Sequence, residues 1–420
     1  MIRLKIEEVE VFRVLSNFEW NFMRICASND LCGIGEGGPM LGFTEARDQL
    51  KSLLKGEDAM RINRIEQKLR YASLYSGSSL YHLLSAVNIA LYDLIGKYLN
   101  SPVWRLLGGD RDEIRLYSVI PRTSRPRAVS SMQLSFTPPW VPGEEREFSS
   151  SPIHGRITVG NLREELSPER YVREAEGLVK EGFKAVKFDL DLPTPFTAPE
   201  DLRSGNLSKR DLDHLSALVK ELRERVGPEV DLIADFQWSY NVSSAIRLCR
   251  ALEPYGLRWI EDPTPAVMAV TNLDQLASVS DQCGVPIGTG ENLYTLYEFK
   301  DLLKAGVRVW TPAAVKTGGI SEVRRIGEFA SMYEVEVSPH NVSSPVGTAA
   351  NAHASSPLNS LGLLEFLGHR LKYWSEVTKK DANRVDSGRI RLSEEPGLGV
   401  ELDVDRLQRI SGQATEDLST

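Results

Sequence analysis

From Arg115 onward the sequence repeats one unit, a short β-rich run followed by a helical stretch, and this repeat limits the fold more than any other feature. The expected strands are 114–120 (IRLYSVI), 185–190 (AVKFDL), 231–236 (DLIADF), 257–262 (LRWIED), 285–290 (VPIGTG), 307–312 (VRVWTP), 335–340 (VEVSPH) and 361–366 (LGLLEF). Their tips recur steadily: Asp235 to Glu261 is 26 residues, Glu261 to Glu291 30, Ala313 to His340 27, and His340 to Glu365 25. Helical segments such as SPERYVREAEGLVKEG and SEVRRIGEFASMYE fill the gaps. Eight such units, each short enough for a right-handed crossover, predict an α/β fold built on a (β/α)8 TIM-type barrel. A doubly wound sheet is the competing arrangement, but no glycine-rich phosphate turn follows the first strand.

Two further segments frame the barrel. Residues 1–112 read as an α+β capping domain with strands at 2–15, 22–27 and 31–36, SNFEW as a mobile loop, and a long helix over 78–100. The barrel is expected over 113–372, and 373–420 is expected to return to the cap. Two connections, 121–166 and 191–208, are too long for simple turns and leave strand C-terminal ends, the active-site face of such a barrel. They are candidate lids or specificity loops, the first equally readable as a disordered insertion.

The chain carries 58 acidic against 50 basic residues, a net charge of −8, which argues against nucleic acid as a partner. No apolar run is long enough for a membrane span, and the opening MIRLKIEEVEVFRVL alternates like a strand instead of forming a signal peptide, so a cytoplasmic protein is expected. Cys26, Cys32, Cys249 and Cys283 lack zinc-ligand spacing and are read as reduced packing residues.

Asp235, Glu261 and Glu291 fall at the ends of three consecutive strands. Strands lie about 4.8 Å apart, so side chains at one level converge. Three converging carboxylates repel one another unless a cation neutralises them, and an all-oxygen set suits Mg2+, with Mn2+ as the alternative. A divalent ion there stabilises the enediolate formed when a base removes the proton α to a carboxylate. Lys187 and Asp189 flank Phe188 on the second strand and share its inner face, where Lys187 can meet a substrate carboxylate. His340 at the seventh tip can move a proton on the other face of the substrate. Glu365 at the eighth has the weaker claim of a strand-end acid.

At this point the sequence resembles a known family, the mandelate racemase and muconate lactonizing enzyme type of the enolase superfamily. The likeness spans GIGEGGP and SAVNIALYDLIGKYLNSPVWRLLGG in the cap, GFKAVKFD, DFQW, IEDP, GEN, KTGGISE and SPHN in the barrel, and EPGLGVELD near the end. It implies that Asp235, Glu261 and Glu291 are magnesium ligands, that Lys187 is the first lysine of a Lys-x-Lys motif contacting the substrate carboxylate, and that His340 is the histidine of a His–Asp dyad. Glu365 matches an acid that hydrogen-bonds that carboxylate. The cap loops around Trp20 and Leu41 would shape specificity, and a homo-oligomer, dimer to octamer, is expected by analogy.

The departures are equally informative. Asp189 replaces the second lysine, Ala313 the dyad carboxylate, and Gln237 a histidine used by some sugar-acid dehydratases. Without the dyad carboxylate the pKa of His340 is expected to fall and its orientation to loosen. Asp189, Tyr240 or a residue of 121–166 could supply the missing proton transfer, whereas Lys316, beside a turn, is expected at the surface. Mannonate dehydratases are similar in lacking the dyad aspartate. Together with polar tips at Gln237, Ser239, Asn292 and Asn341, this favours dehydration of a small sugar acid to a 2-keto-3-deoxy acid by a hydro-lyase. Racemisation, epimerisation or cycloisomerisation is the second reading, and a non-catalytic metal- and ligand-binding protein the third.

Overall fold

The computed structural model describes residues 4–16, 18–72, 77–120, 147–149, 157–158, 167–191, 193–197, 201–265 and 272–417. The candidate loop 121–166 therefore lies almost wholly outside the described residues.

In the cap, β1 (Ile6–Leu15), β2 (Glu19–Ala27) and β3 (Cys32–Gly37) form an antiparallel sheet in that order. The expected SNFEW loop is shorter than its sequence suggested. Val14 pairs with Trp20 and Leu15 with Glu19, so both belong to β2, and burial of Trp20 against Phe22 holds the strand in register.

The helix Ser79–Tyr98 packs on β3 through a stripe of glycines. A Cβ at Gly33 would lie 2.0 Å from the Ala90 carbonyl, at Gly35 2.1 Å from that of Ala86, and at Gly37 2.5 Å from that of His82. Alternate strand residues share a face, as do helix residues four apart, so the two periods mesh at backbone contact. Ile34 and Glu36 consequently face away from this helix. Asp93 in the helix accepts from Ile34 N and from Leu398 N, tying the late GLGVEL segment to the cap.

The barrel strands are Glu113–Val119, Ala185–Asp189, Asp231–Asp235, Trp259–Glu261, Ile287–Thr289, Val309–Trp310, Glu336–Val337 and Leu364–Glu365. They pair in parallel in chain order, the eighth returns to the first, and a bridge between Val337 and Leu361 joins the seventh to the eighth. Strands four to eight are shorter than their sequences suggested. Pro286, Pro312 and Pro339 lack the N–H a ladder needs and mark the limits of strands five, six and seven. Inside, Tyr117, Ala185, Ile233, Trp259, Val309 and Leu363 form a closed apolar plug that floors the site above it.

The tail divides its attachments, where a full return to the cap was expected. Helix Val404–Asp417 docks on β1, with Leu407 and Ile410 buried and Ser411 Oγ donating to Arg13 O at 2.6 Å. The hairpin Arg384–Asp386/Arg389–Arg391 instead adds to the start of the first barrel strand. Connection 191–208 is anchored where described: Asp211 accepts from Thr194 and Thr197 and, in a capping box, from Ser208 N at 2.8 Å. Cys26 and Cys32 face each other across β2 and β3 as a disulfide, correcting the reduced-thiol reading, while Cys249 and Cys283 are free. No described helix is long and apolar enough to cross a membrane.

Candidate active site

Strand register places the first carboxylates. Asp189 lies opposite Asp235, and Asp235 opposite Glu261, so the tips of strands two, three and four share one level. Lys187 enters this ring from below: its Nζ is 2.9 Å from Glu365 Oε1, 3.0 Å from Glu261 Oε1 and 3.2 Å from Asp235 Oδ2. The Tyr117 ring, part of the plug, lies 5.7 Å beneath the ammonium. All four charged groups are buried. Burial alone would push the Lys187 pKa down, but Glu261, Glu365 and Asp235 outweigh it and hold it well above the usual range.

One ammonium does not neutralise the acids. Burial raises the pKa of Asp235, Glu261 and Asp262, with Lys187 opposing the rise and neighbouring carboxylates adding to it. Trp259 Nε1 donates to Glu261 at 2.9 Å. Gln237 donates to Asp235 twice, from N at 2.9 Å and Nε2 at 3.0 Å, in a turn where Gln237 takes φ 47° and Trp238 φ 57°. Gln237 is thereby committed to orienting a carboxylate.

Among the described residues, the carboxylates whose oxygens all lie within 4.8 Å of one another are Glu261, Asp262 and Glu291; the expected Asp235 is not in this set. Asp262 is an addition that strand alternation concealed: it follows Glu261 and would face outward, but at φ 45° the chain turns it back toward the site. One of its oxygens accepts from Thr289 Oγ1, while Oδ2 is buried without a hydrogen-bond partner. An all-carboxylate set with a buried, unsatisfied oxygen and insufficient positive charge fits a hard divalent cation.

His340 is buried across the ring, with Nε2 3.1 Å from Glu291 Oε2 and 3.6 Å from Glu365 Oε2. Its pKa falls to about 3, as the lost dyad carboxylate suggested, but the main cause is burial; Glu365 pulls the other way, and Lys316 and Lys187 add repulsion. Asn341 N donates to Glu365 at 3.0 Å, and the Asn341 side chain joins Thr348 and Asn351, so this polar tip braces the site from behind. The methyl-bearing tip of strand six is held the same way, Ala314 N donating to Asn351 Oδ1 at 2.9 Å.

The remaining candidates separate clearly. Asp189 is buried beside Asp235, whose pKa its charge helps raise. The Tyr240 hydroxyl is turned to the Leu190 carbonyl. Trp20 lines a cleft between cap and barrel that reaches His340, whereas Leu41 is 55% exposed and outside that lining. Asn292 accepts from Lys316 Nζ at 3.3 Å. Lys316 itself, expected at the surface, lines the cleft, with Nζ 3.6 Å from Glu291 Oε1.

The cap closes on this mouth through Glu36. Facing away from the cap helix, it accepts from Ser344 N at 3.2 Å, from Gly347 N at 2.8 Å and from Ser344 Oγ, at the N-terminus of helix Pro345–Ser355. Burial raises its pKa to about 7 against these hydrogen bonds.

Comparison with known proteins agrees with this architecture. Residues 170–406 match the enolase C-terminal domain-like family, and residues 12–108 match the mandelate racemase/muconate lactonizing enzyme N-terminal domain. A D-xylonate dehydratase of Haloferax volcanii is 30% identical over 96% of this chain and 88% of its own. A D-galactonate dehydratase family member of Pseudarthrobacter chlorophenolicus is 28% identical over 95% of this chain and 93% of its own. The crystal structure of a mandelate racemase/muconate lactonizing enzyme-like protein from Rubrobacter xylanophilus superposes with a TM-score of 0.81 at 32% identity, covering 97% of this chain and 98% of that one. A capping sheet laid over a carboxylate-tipped barrel, matched along nearly its whole length, makes this chain a member of the mandelate racemase/muconate lactonizing enzyme group of the enolase superfamily.

Proposed function

We propose that the protein is a hydro-lyase that converts a sugar acid to a 2-keto-3-deoxy acid by removing the α-proton and then the β-hydroxyl. The observation that carries this reading is the buried pairing of Lys187 with a ring of acids on one side and the buried His340, 3.1 Å from Glu291, on the other. The dehydratase names of the relatives support it.

Asp235, Glu261 and Glu291 would hold a magnesium ion, with manganese as the alternative and Asp262 as a further oxygen donor; such an ion supplies positive charge that stabilises the anion left when a carbon acid ionises. Lys187 would exchange part of its contact with Glu365 for the substrate carboxylate. His340, kept neutral by burial, has one ring nitrogen with a lone pair to accept the α-proton. The C–H electron pair, first delocalised onto the carboxylate, forms the Cα–Cβ double bond as the β-carbon–oxygen bond breaks, and the leaving hydroxide takes the proton held on His340 and departs as water, leaving an enol. The enol then tautomerises to the ketone. Racemisation is the second reading: it would require a second base, for which Asp189 is the candidate.

Incubation in D2O with Mg2+ and a panel of five- and six-carbon sugar acids tests this. One acid should yield a 2-keto-3-deoxy product carrying deuterium at C3. Deuterium at the α-carbon of recovered substrate without dehydration would favour racemisation, and silence across the panel with metal still bound would leave a binding protein.

A further inference from the structure

The strand-six unit contributes no acid to the site, yet it delivers a lysine. Gly38 of the cap donates its N–H to the Val315 carbonyl at 2.7 Å, which pins the turn after strand six against the end of β3. A Cβ on Gly38 would stand 3.0 Å from Lys316 Cγ and 2.5 Å from His82 Nδ1, so the missing side chain opens the slot through which the Lys316 stem passes. The ammonium emerges in the cleft shared with His340 and Trp20, its side chain only 13% exposed.

A lysine is seldom enclosed this far unless its charge is well matched. Here the match is partial. Among the described residues its partners are Asn292 Oδ1 at 3.3 Å and Glu291 Oε1 at 3.6 Å, a long hydrogen bond and a longer ion pair for a group with three N–H donors. Glu291 is also the acid assigned to the cation, whose charge would compete with Lys316 for it. The ammonium is then left facing the cleft.

The rest of that wall says what it faces. Glu19 and Glu36 line the same cleft beside Ser343, and the apolar faces of Phe18 and Trp20 complete it. Glu36 is already taken by Ser344 and Gly347, and Glu19 accepts from Asn21 at 3.1 Å, so the acids of this wall disfavour a second substrate carboxylate and leave the binding of a hydroxyl to Lys316. We propose that Lys316 is a substrate-binding residue that donates to a tail hydroxyl of a monocarboxylic polyhydroxy acid. This rests on the sugar-acid reading given above.

The test measures binding and turnover separately, using the full chain loaded with Mg2+, aldonic acids of five and six carbons, their aldaric counterparts, and glycolate as a tail-less probe. Lys316→Met should weaken calorimetric binding of the reacting aldonic acid by about tenfold or more and raise its KM, with glycolate affinity and Mg2+ uptake unchanged, and Lys316→Arg should recover most of the loss. Equal losses for glycolate and the aldonic acid would make Lys316 a support of Glu291 and overturn the proposal. Unchanged aldonate affinity in Lys316→Met, with the wild type active, would overturn it too. A wild type that takes up Mg2+ but neither binds nor converts any acid of the panel would instead remove the sugar-acid reading, and this proposal with it.

Discussion

Glu261 stands between two partners, Lys187 on one oxygen and Trp259 Nε1 on the other, at the centre of the acid ring. Glu261→Gln keeps the shape and removes the charge. It should lower Mg2+ affinity at least about tenfold, read by titration calorimetry, and abolish turnover with it. His340→Asn should behave differently. Among the described residues the imidazole Nε2 faces the carboxylates of Glu291 and Glu365, and the Asn amide keeps a donor there, so metal uptake should persist while α-proton exchange in D2O falls by a factor on the order of a hundred or more. Exchange that survives in His340→Asn would move the base to another residue. At this scale the sequence went far in placing side chains together: Lys187 contacts Asp235, Glu261 and Glu365, and His340 faces Glu291 and Glu365. It stopped at Asp262 and Lys316. Asp262 still donates from its N–H to Gly288 O at 3.0 Å, but its φ of 45° breaks the alternation of faces, and Lys316 lies in the short helix Ala314–Thr317 after strand six, where that alternation does not apply. Gln237 shows the converse, a polar tip at a predicted position that the turn geometry spends on Asp235.

The β3 strand carries the clearest consequence among the elements. Its glycines let a sheet and a helix touch backbone to backbone, and a side chain at Gly35 would sit on the Ala86 carbonyl. Gly35→Val should cost at least about 3 kcal/mol in urea unfolding. Gly177→Ala is the matched control: it lies in helix Pro168–Lys180 with nothing within 4 Å of the added methyl, and should gain about 0.5–1 kcal/mol. Strand and helix existence was legible in the cap and the barrel, because period and spacing are local properties, whereas the tail's hairpin Arg384–Asp386/Arg389–Arg391 and helix Val404–Asp417 were not read from the sequence. Strand ends were less legible. Glu19 and Trp20 joined β2 because pairing with β1 and burial outweighed a loop-like composition, and the barrel strands shortened where prolines interrupt the ladder.

Across the whole molecule, cap and barrel meet at a buried acid. Glu36 links β3 to the helix that braces the His340 tip, and its pKa rises from 4.5 to about 7. A group raised in the folded state contributes stability that is complete below its unfolded pKa and is lost as pH climbs through the folded value. The stability difference between Glu36→Gln and wild type should therefore move in favour of the variant between pH 5 and pH 8, by on the order of 3 kcal/mol, in thermal melts at four pH values. A difference independent of pH would show that Glu36 does not titrate in this range. The Cys26–Cys32 disulfide is by contrast local, joining residues six apart where the hairpin register of β2 and β3 sets the two thiols opposite each other.

What the sequence determined by itself was the repeat and therefore the barrel, and with it the end of the barrel at which Asp235, Glu261, His340 and Glu365 gather, because each of them closes or follows a strand and parallel strands put their C-terminal ends on one face. Only the tertiary structure decided which groups enter from outside that ladder: the lysine threaded past Gly38, the acid turned inward at Asp262, and the carboxyl of Glu36 joining two domains. Lys316 and Glu36 depend on surfaces distant in the chain coming together, and distance along a sequence does not encode how closely two packed faces approach; Asp262 depends on a backbone turn that strand alternation does not predict.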